Sequence, residues 1–164
     1  MLRLLAAELT ADAGGLTLAG LAHGGADYGR QVFWRDPRQA WPDNLTPQAW
    51  SQEQATSQPR WSQAQWLQHV AGFALEEHLH KAMYQLSTGS QRKVLLAAAL
   101  ASGATLILVD EPVAALDRAA IAYWVMTLQR EAAQLAASGQ LLVVAHYDRL
   151  DTGLPWSHVL RLGA

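Results

Sequence analysis

The stretch Thr105–Pro112, Thr-Leu-Ile-Leu-Val-Asp-Glu-Pro, constrains this 164-residue chain more than any other. It is a short apolar run bounded by Ser102-Gly103 before and Pro112 after. Such a run, without polar alternation, reads as a strand buried on both faces, as in a parallel sheet. The run ends on two adjacent acids, Asp110 and Glu111, which an apolar core does not hold. Taken alone they are either carboxylates hydrated where a strand leaves the core, or a site. The C-terminal ends of parallel strands face the crevice where ligands bind in open α/β sheets.

The neighbouring segments bear on that choice. Gln85-Leu86-Ser87-Thr88-Gly89-Ser90-Gln91-Arg92-Lys93 leads into an apolar helix, Val94–Ala101. After the strand come Ala114-Ala115-Leu116-Asp117, a long helix over Arg118–Ala137, and the apolar strand Gln140–Ala145 followed by His146. In order and rough spacing these segments resemble the second half of an ATP-binding cassette (ABC) ATPase. Leu86–Ser90 is similar to the signature motif LSGGQ, with Thr88 and Ser90 as departures. Leu106–Glu111 resembles Walker B with its following glutamate, Ala114–Asp117 the D-loop with Ala114 for the usual serine, and His146 the switch histidine.

The resemblance implies a P-loop NTPase-like α/β layer sandwich, truncated at its N-terminus, with a small helical subdomain near residues 45–85. The signature-to-switch part then runs over residues 86–146. The implied cofactors are ATP and Mg2+, with Asp110 in the metal shell. Glu111 is implied as the general base and His146 as a γ-phosphate contact, and the alternative for His146 is a satisfied histidine at a strand end. Ser87, Thr88, Gly89 and Ser90 open a helix, whose free N–H groups and dipole suit an anion; ordinary capping by Ser87 has the same geometry without a ligand. With Asp117 they would meet ATP held by a second ABC ATPase subunit, in a homo- or heterodimer.

The start of the chain shows what these residues do not contain. Leu2–Leu9 reads as a helix with Leu2, Leu5 and Leu9 on one face, ended by Ala11-Asp12-Ala13-Gly14-Gly15, and Leu16–Leu18 reads as a short strand. This opening resembles the segment that follows the family's phosphate-binding loop. The loop pattern itself, G-x-x-x-x-G-K-[ST], occurs nowhere in the 164 residues. Gln31–Trp34 reads as a strand broken by Arg35-Asp36-Pro37. The resemblance puts Trp34 where the Q-loop glutamine contacts magnesium, with Gln31 and Gln39 off register.

Five of the seven tryptophans (Trp34, Trp41, Trp50, Trp61, Trp66) lie in a glutamine-rich stretch. Ser51–Pro59 reads as a loop or loose helix, and Trp61–Leu79 has helical spacing. The tryptophans either pack a small helical core or form a partner-facing patch, a role for which Trp is well suited. His69, His78 and His80 are expected at the surface, without shared metal ligation. In the long helix, Ile121, Val125, Leu128 and Leu135 are expected on one side. Trp156–Leu162 reads as a last strand.

A net charge of −2 gives no electrostatic case for nucleic acid, and the absence of cysteine excludes disulfides and thiolate metal sites. The longest apolar region, Val94–Val109, is broken by Ser102-Gly103 and falls short of a spanning helix. Glu8 interrupts Met1–Ala7 too early for a secretion signal. The expectation is a cytoplasmic chain, peripheral on the inner face of the membrane through a transmembrane permease subunit. Its expected function is an ABC ATPase that energises a transporter. The alternative is a degenerate or truncated, non-hydrolytic cassette acting as a partner subunit or protein-interaction domain.

Overall fold

A computed structural model describes residues 1–147 and 153–162. Its centre is the strand β4, Leu106–Asp110, which is buried along Leu106–Val109 and half-buried at Asp110. The two other strands of this sheet are β3, Val32–Phe33, and β5, Leu141–Ala145. The order is β3-β4-β5, all parallel, with Val32 opposite Leu106 and Asp110 opposite Ala145. Side chains alternate across β4. Leu106 and Leu108 join one core with Leu2, Tyr28 and Val32, and Ile107 and Val109 join the larger core on the other face. The three strands are neighbours, as the family resemblance implies. β5 is only half-buried, however, and Leu141 is exposed, because among the described residues it pairs with β4 alone.

The smaller core is closed by short elements. Helix α1, Leu2–Leu5, is four residues long and not the eight expected. Ala7 adopts a left-handed φ of 61°, while the N–H groups of Ala7 and Glu8 donate to the carbonyls of Leu4 and Arg3. That is a Schellman stop, and its usual sequence marker is glycine rather than alanine. Strands β1, Thr17–Leu18, and β2, Leu21–Ala22, form a hairpin. Ala19 and Gly20 turn it at positive φ, as tight hairpins require. Helix α2, Ala26–Gly29, sets the hydroxyl of Tyr28 to donate to the Leu5 carbonyl at 2.7 Å.

The larger core lies under four helices. Helix α3, Pro47–Ser57, starts at Thr46, whose side chain accepts from the Ala49 N–H. Of the polar run Ser51–Pro59, read as a loop or loose helix, the part up to Ser57 is the second half of this capped helix. Helix α4, Gln63–Gly72, starts likewise at Ser62. Two 3-10 turns, Glu76–His78 and Met83–Gln85, lead to helix α5, Thr88–Ala101, which is buried on every side from Leu96 to Ala101 between α4 and β4. Trp50, Trp66 and Trp124 are buried, and Trp41 and Trp61 pack partly on the same core.

Two expectations fail here. His69 is not at the surface: it is fully buried, and its Nδ1 lies 2.9 Å from the hydroxyl of Tyr123. Helix α6, Arg118–Ala137, turns Ile121, Val125, Leu128 and Leu135 to one side as expected, Leu128 buried and the others half-buried. Ala120, Trp124 and Thr127 are buried with them, and the indole removes the most apolar surface from water. Trp156–Leu162 forms no strand. Leu154 and Trp156 rest partly on the larger core, and residues 157–162 are exposed.

Candidate functional site

The parallel pairing of β4 with β5 assembles the acidic end of the sheet. Because Asp110 lies opposite Ala145, the next residues on each strand, Glu111 and His146, emerge side by side. Glu111 has a φ of 48°, a left-handed conformation that is costly for a side chain with a Cβ. It is held there by its own N–H, which donates to the Ala145 carbonyl at 2.9 Å. Its carboxylate is oriented at both oxygens. The Tyr147 N–H donates to Oε1 at 2.6 Å, and His146 Nε2 lies 3.7 Å from Oε2. Both side chains remain partly open to solvent.

Asp110 is also surrounded by cations. Arg92, from the first turns of α5, donates from Nη1 to the Asp110 carbonyl at 2.6 Å. Arg38, from the loop after β3, places Nη2 3.5 Å from Asp110 Oδ2. A cavity of about 20 Å³, lined in part by Arg35, Arg92 and Asp110, has room for one water. Sequence reasoning passed over Arg38, and its only signal was a basic residue just after the Asp36-Pro37 break. Trp34 instead turns its ring toward the Leu2–Tyr28 core, with its Nε1 buried and unpaired. Gln31 lies at the opposite end of the sheet, where its side chain accepts from Thr105. Gln39 is exposed and accepts from Arg35.

The second group of expected residues lies at the N-terminus of α5. Ser87 Oγ accepts from the Ser90 N–H at 3.1 Å and lies 3.0 Å from Ser90 Oγ, while Ser87 and Thr88 are exposed. Gly89 is pressed against the loop between β4 and α6: a Cβ there would come 2.4 Å from the Ala115 carbonyl oxygen. Asp117 caps α6 by accepting from the Ala120 N–H at 2.8 Å, and it pairs with Lys93 Nζ at 2.6 Å. The hydrogen bond from Lys93 holds its carboxyl below the usual carboxylate range. Arg92 links the two groups, since it belongs to α5 and grips Asp110.

The donor set can be tested against the implied cofactors. Mg2+ takes oxygen ligands, keeps several waters and is held through one or two carboxylates plus phosphate oxygens. Asp110 beside Glu111 fits that pattern. Among the described residues no group of three or more His, Asp or Glu is gathered to hold a metal, so a metal at Asp110 would take its remaining ligands from water or phosphate. The exposed start of α5 suits a phosphate.

Residues 1–114 match the family described as ABC transporter. Over 78 residues the chain is 40% identical to a phosphonates import ATP-binding protein of Albidiferax ferrireducens, which covers 48% of this chain and 27% of that protein. Over 89 residues it is 32% identical to a cytochrome c biogenesis ATP-binding export protein of Paracoccus denitrificans, covering 54% of this chain and 40% of that protein. The chain thus matches well under half the length of these relatives. Among solved structures, the ATP-binding subunit of an ABC transporter superposes with a TM-score of 0.72 at 22% identity, over 89% of this chain and 62% of the other. A dimeric post-hydrolysis cassette bound to ADP and Pi gives 0.65 at 17% identity, over 88% of this chain and 68% of the other. The chain belongs to the ABC transporter family, and its fold is that of the family's ATP-binding cassette.

Proposed function

We propose that this chain supplies the hydrolytic end of an ABC ATPase that works as a dimer and energises a membrane transporter. The observation that carries this reading is the convergence of Asp110, Glu111 and His146 at the same end of two paired parallel strands. Bound Mg·ATP brings the phosphoanhydride bond and a metal that draws charge from it. Asp110 is the carboxylate for the metal shell. Glu111 takes the proton from water, its carboxylate aimed by the Tyr147 N–H at Oε1 and by His146 beside Oε2. His146 orients that oxygen and offers an imidazole to the phosphate. Ser87–Ser90 present the start of α5 to a nucleotide held by a second cassette. No helix among the described residues is long and apolar enough to cross a membrane. In this proposal, then, the cytoplasmic membrane face is reached through a permease partner.

The test uses this chain joined, upstream of Leu2, to a segment carrying G-x-x-x-x-G-K-[ST]. Glu111→Gln keeps the shape but cannot accept a proton. It is expected to retain ATP binding and to lose turnover by about 10²–10⁴-fold. Full turnover in that variant removes the role given to Glu111.

A second reading has its own support: Trp34, at the position of the magnesium-contacting glutamine, is turned into a core and offers no ligand. A non-hydrolytic subunit would still lend Ser87–Ser90 to another cassette. Mixing this chain with a cassette that binds ATP but carries a broken signature separates the two readings. Restored hydrolysis that survives Glu111→Gln in this chain favours the second.

A further inference from the structure

The Arg38 guanidinium beside Asp110 belongs to none of the motifs described above. Asp36 holds it by three contacts: the Arg38 N–H donates to Oδ1 at 2.9 Å, Nε to Oδ1 at 3.0 Å and Nη2 to Oδ2 at 3.3 Å. So anchored, the side chain reaches across to place the same Nη2 at 3.5 Å from Asp110 Oδ2. Arg38 is itself 73% exposed. At that exposure little packing is lost if the side chain swings into solvent.

Arg92 is the contrast. It too lies beside Asp110, but it is half-buried and donates to the backbone carbonyl, not the carboxylate. A cation bound to the carboxylate would leave that hydrogen bond intact. Arg38 contacts the carboxylate itself, at Oδ2, the group a metal would use.

We infer that Arg38 is a tethered counter-ion of Asp110, an in-chain cation that must give way before the carboxylate takes a divalent metal. This rests on the reading of Asp110 as the metal carboxylate. Two positive charges cannot share one carboxylate oxygen at contact distance without strong repulsion. The metal therefore displaces the guanidinium, and the Asp36 tether keeps it close enough to return. When Asp110 is metal-free, its charge is compensated from the loop after β3 and not only by water. Arg38 thereby sets how much metal the site needs.

The experiment is a Mn2+ titration of the 15N-labelled chain without nucleotide, read as paramagnetic broadening of the amides of residues 110–111 and 145–147. Exposed ion pairs are weak, so the competition they offer a metal is modest. Arg38→Ala is expected to lower the Mn2+ concentration for half-broadening by about two- to fivefold. Asp36→Asn, which cuts the tether, is expected to shift it in the same direction. Asp110→Asn in the Arg38→Ala background is expected to abolish the broadening.

A titration that Arg38→Ala leaves unchanged, while Asp110→Asn still abolishes it, overturns the counter-ion role and keeps the metal position. Broadening indifferent to Asp110→Asn overturns the metal position, and with it this inference. Both loop residues are exposed or near the surface, and the amide spectrum itself reports that each variant is folded.

Discussion

At Gly89, a single missing methyl group decides whether the signature segment and the loop between β4 and α6 can lie together. A Cβ would sit 2.4 Å from the Ala115 carbonyl oxygen, and that oxygen is backbone and cannot swing aside. Gly89→Ala is expected to destabilise the chain by about 1–3 kcal/mol, as overpacking does, measured by urea denaturation. An unchanged midpoint would mean that the loop shifts freely and that the contact is slack. Glu111 shows the opposite device, a residue that keeps its Cβ in a left-handed conformation because one hydrogen bond to Ala145 and one from Tyr147 hold it there. Strain of that kind persists where the surroundings over-determine it, and here they fix the direction of a carboxylate.

Between elements, the most consequential contact joins α4 to α6. His69 and Tyr123 bond across it, and Gly72 makes room for the tyrosine ring, which a Cβ would strike at 1.9 Å. His69 is enclosed, with no partner for Nε2 among the described residues. Burial, helped by the charge of Arg130, pushes the imidazole down to about 4. The unfolded chain, with its ordinary value near 6.5, binds the proton more readily over that window. Stability is therefore complete above about pH 6.5 and is lost as pH falls toward 4, by on the order of 3 kcal/mol for this group. Denaturation at pH 7 and pH 4.5, wild type against His69→Gln, isolates the effect. The variant should be less sensitive to pH, and equal sensitivity would mean that the buried imidazole is not what acid attacks.

For the molecule as a whole, the acidic cluster and the start of α5 are present, but these 164 residues hold no G-x-x-x-x-G-K-[ST] cradle. Such a loop supplies backbone N–H groups and a lysine to the phosphates. Each charge-assisted hydrogen bond it would make is worth roughly 1.5–3 kcal/mol, so the remaining groups cannot replace it. Isothermal titration of this chain with Mg·ATP is expected to show no saturable binding below about 1 mM. Micromolar affinity would require another cradle. The glycine-containing turn His23-Gly24-Gly25 is a poor substitute, because His23 Nε2 is already 2.6 Å from the Leu4 carbonyl.

The sequence by itself determined β4 and the acids at its end and the full extent of α6. These features are local: an apolar run, a Ser or Asp cap and a glycine stop act within a few residues. The pairing that sets residue 110 opposite 145, and so Glu111 beside His146, is not local, and the sequence offered it only through the family resemblance. Only the tertiary structure decided that α1 stops at Leu5 on a left-handed alanine, that Trp124 is the largest fully buried side chain of α6, and that His69 is buried. It alone brought Arg38 to Asp110 and turned Trp34 away from it. Each of these depends on what lies across the fold: the partner of His69 is 54 positions away, and no window of sequence contains both.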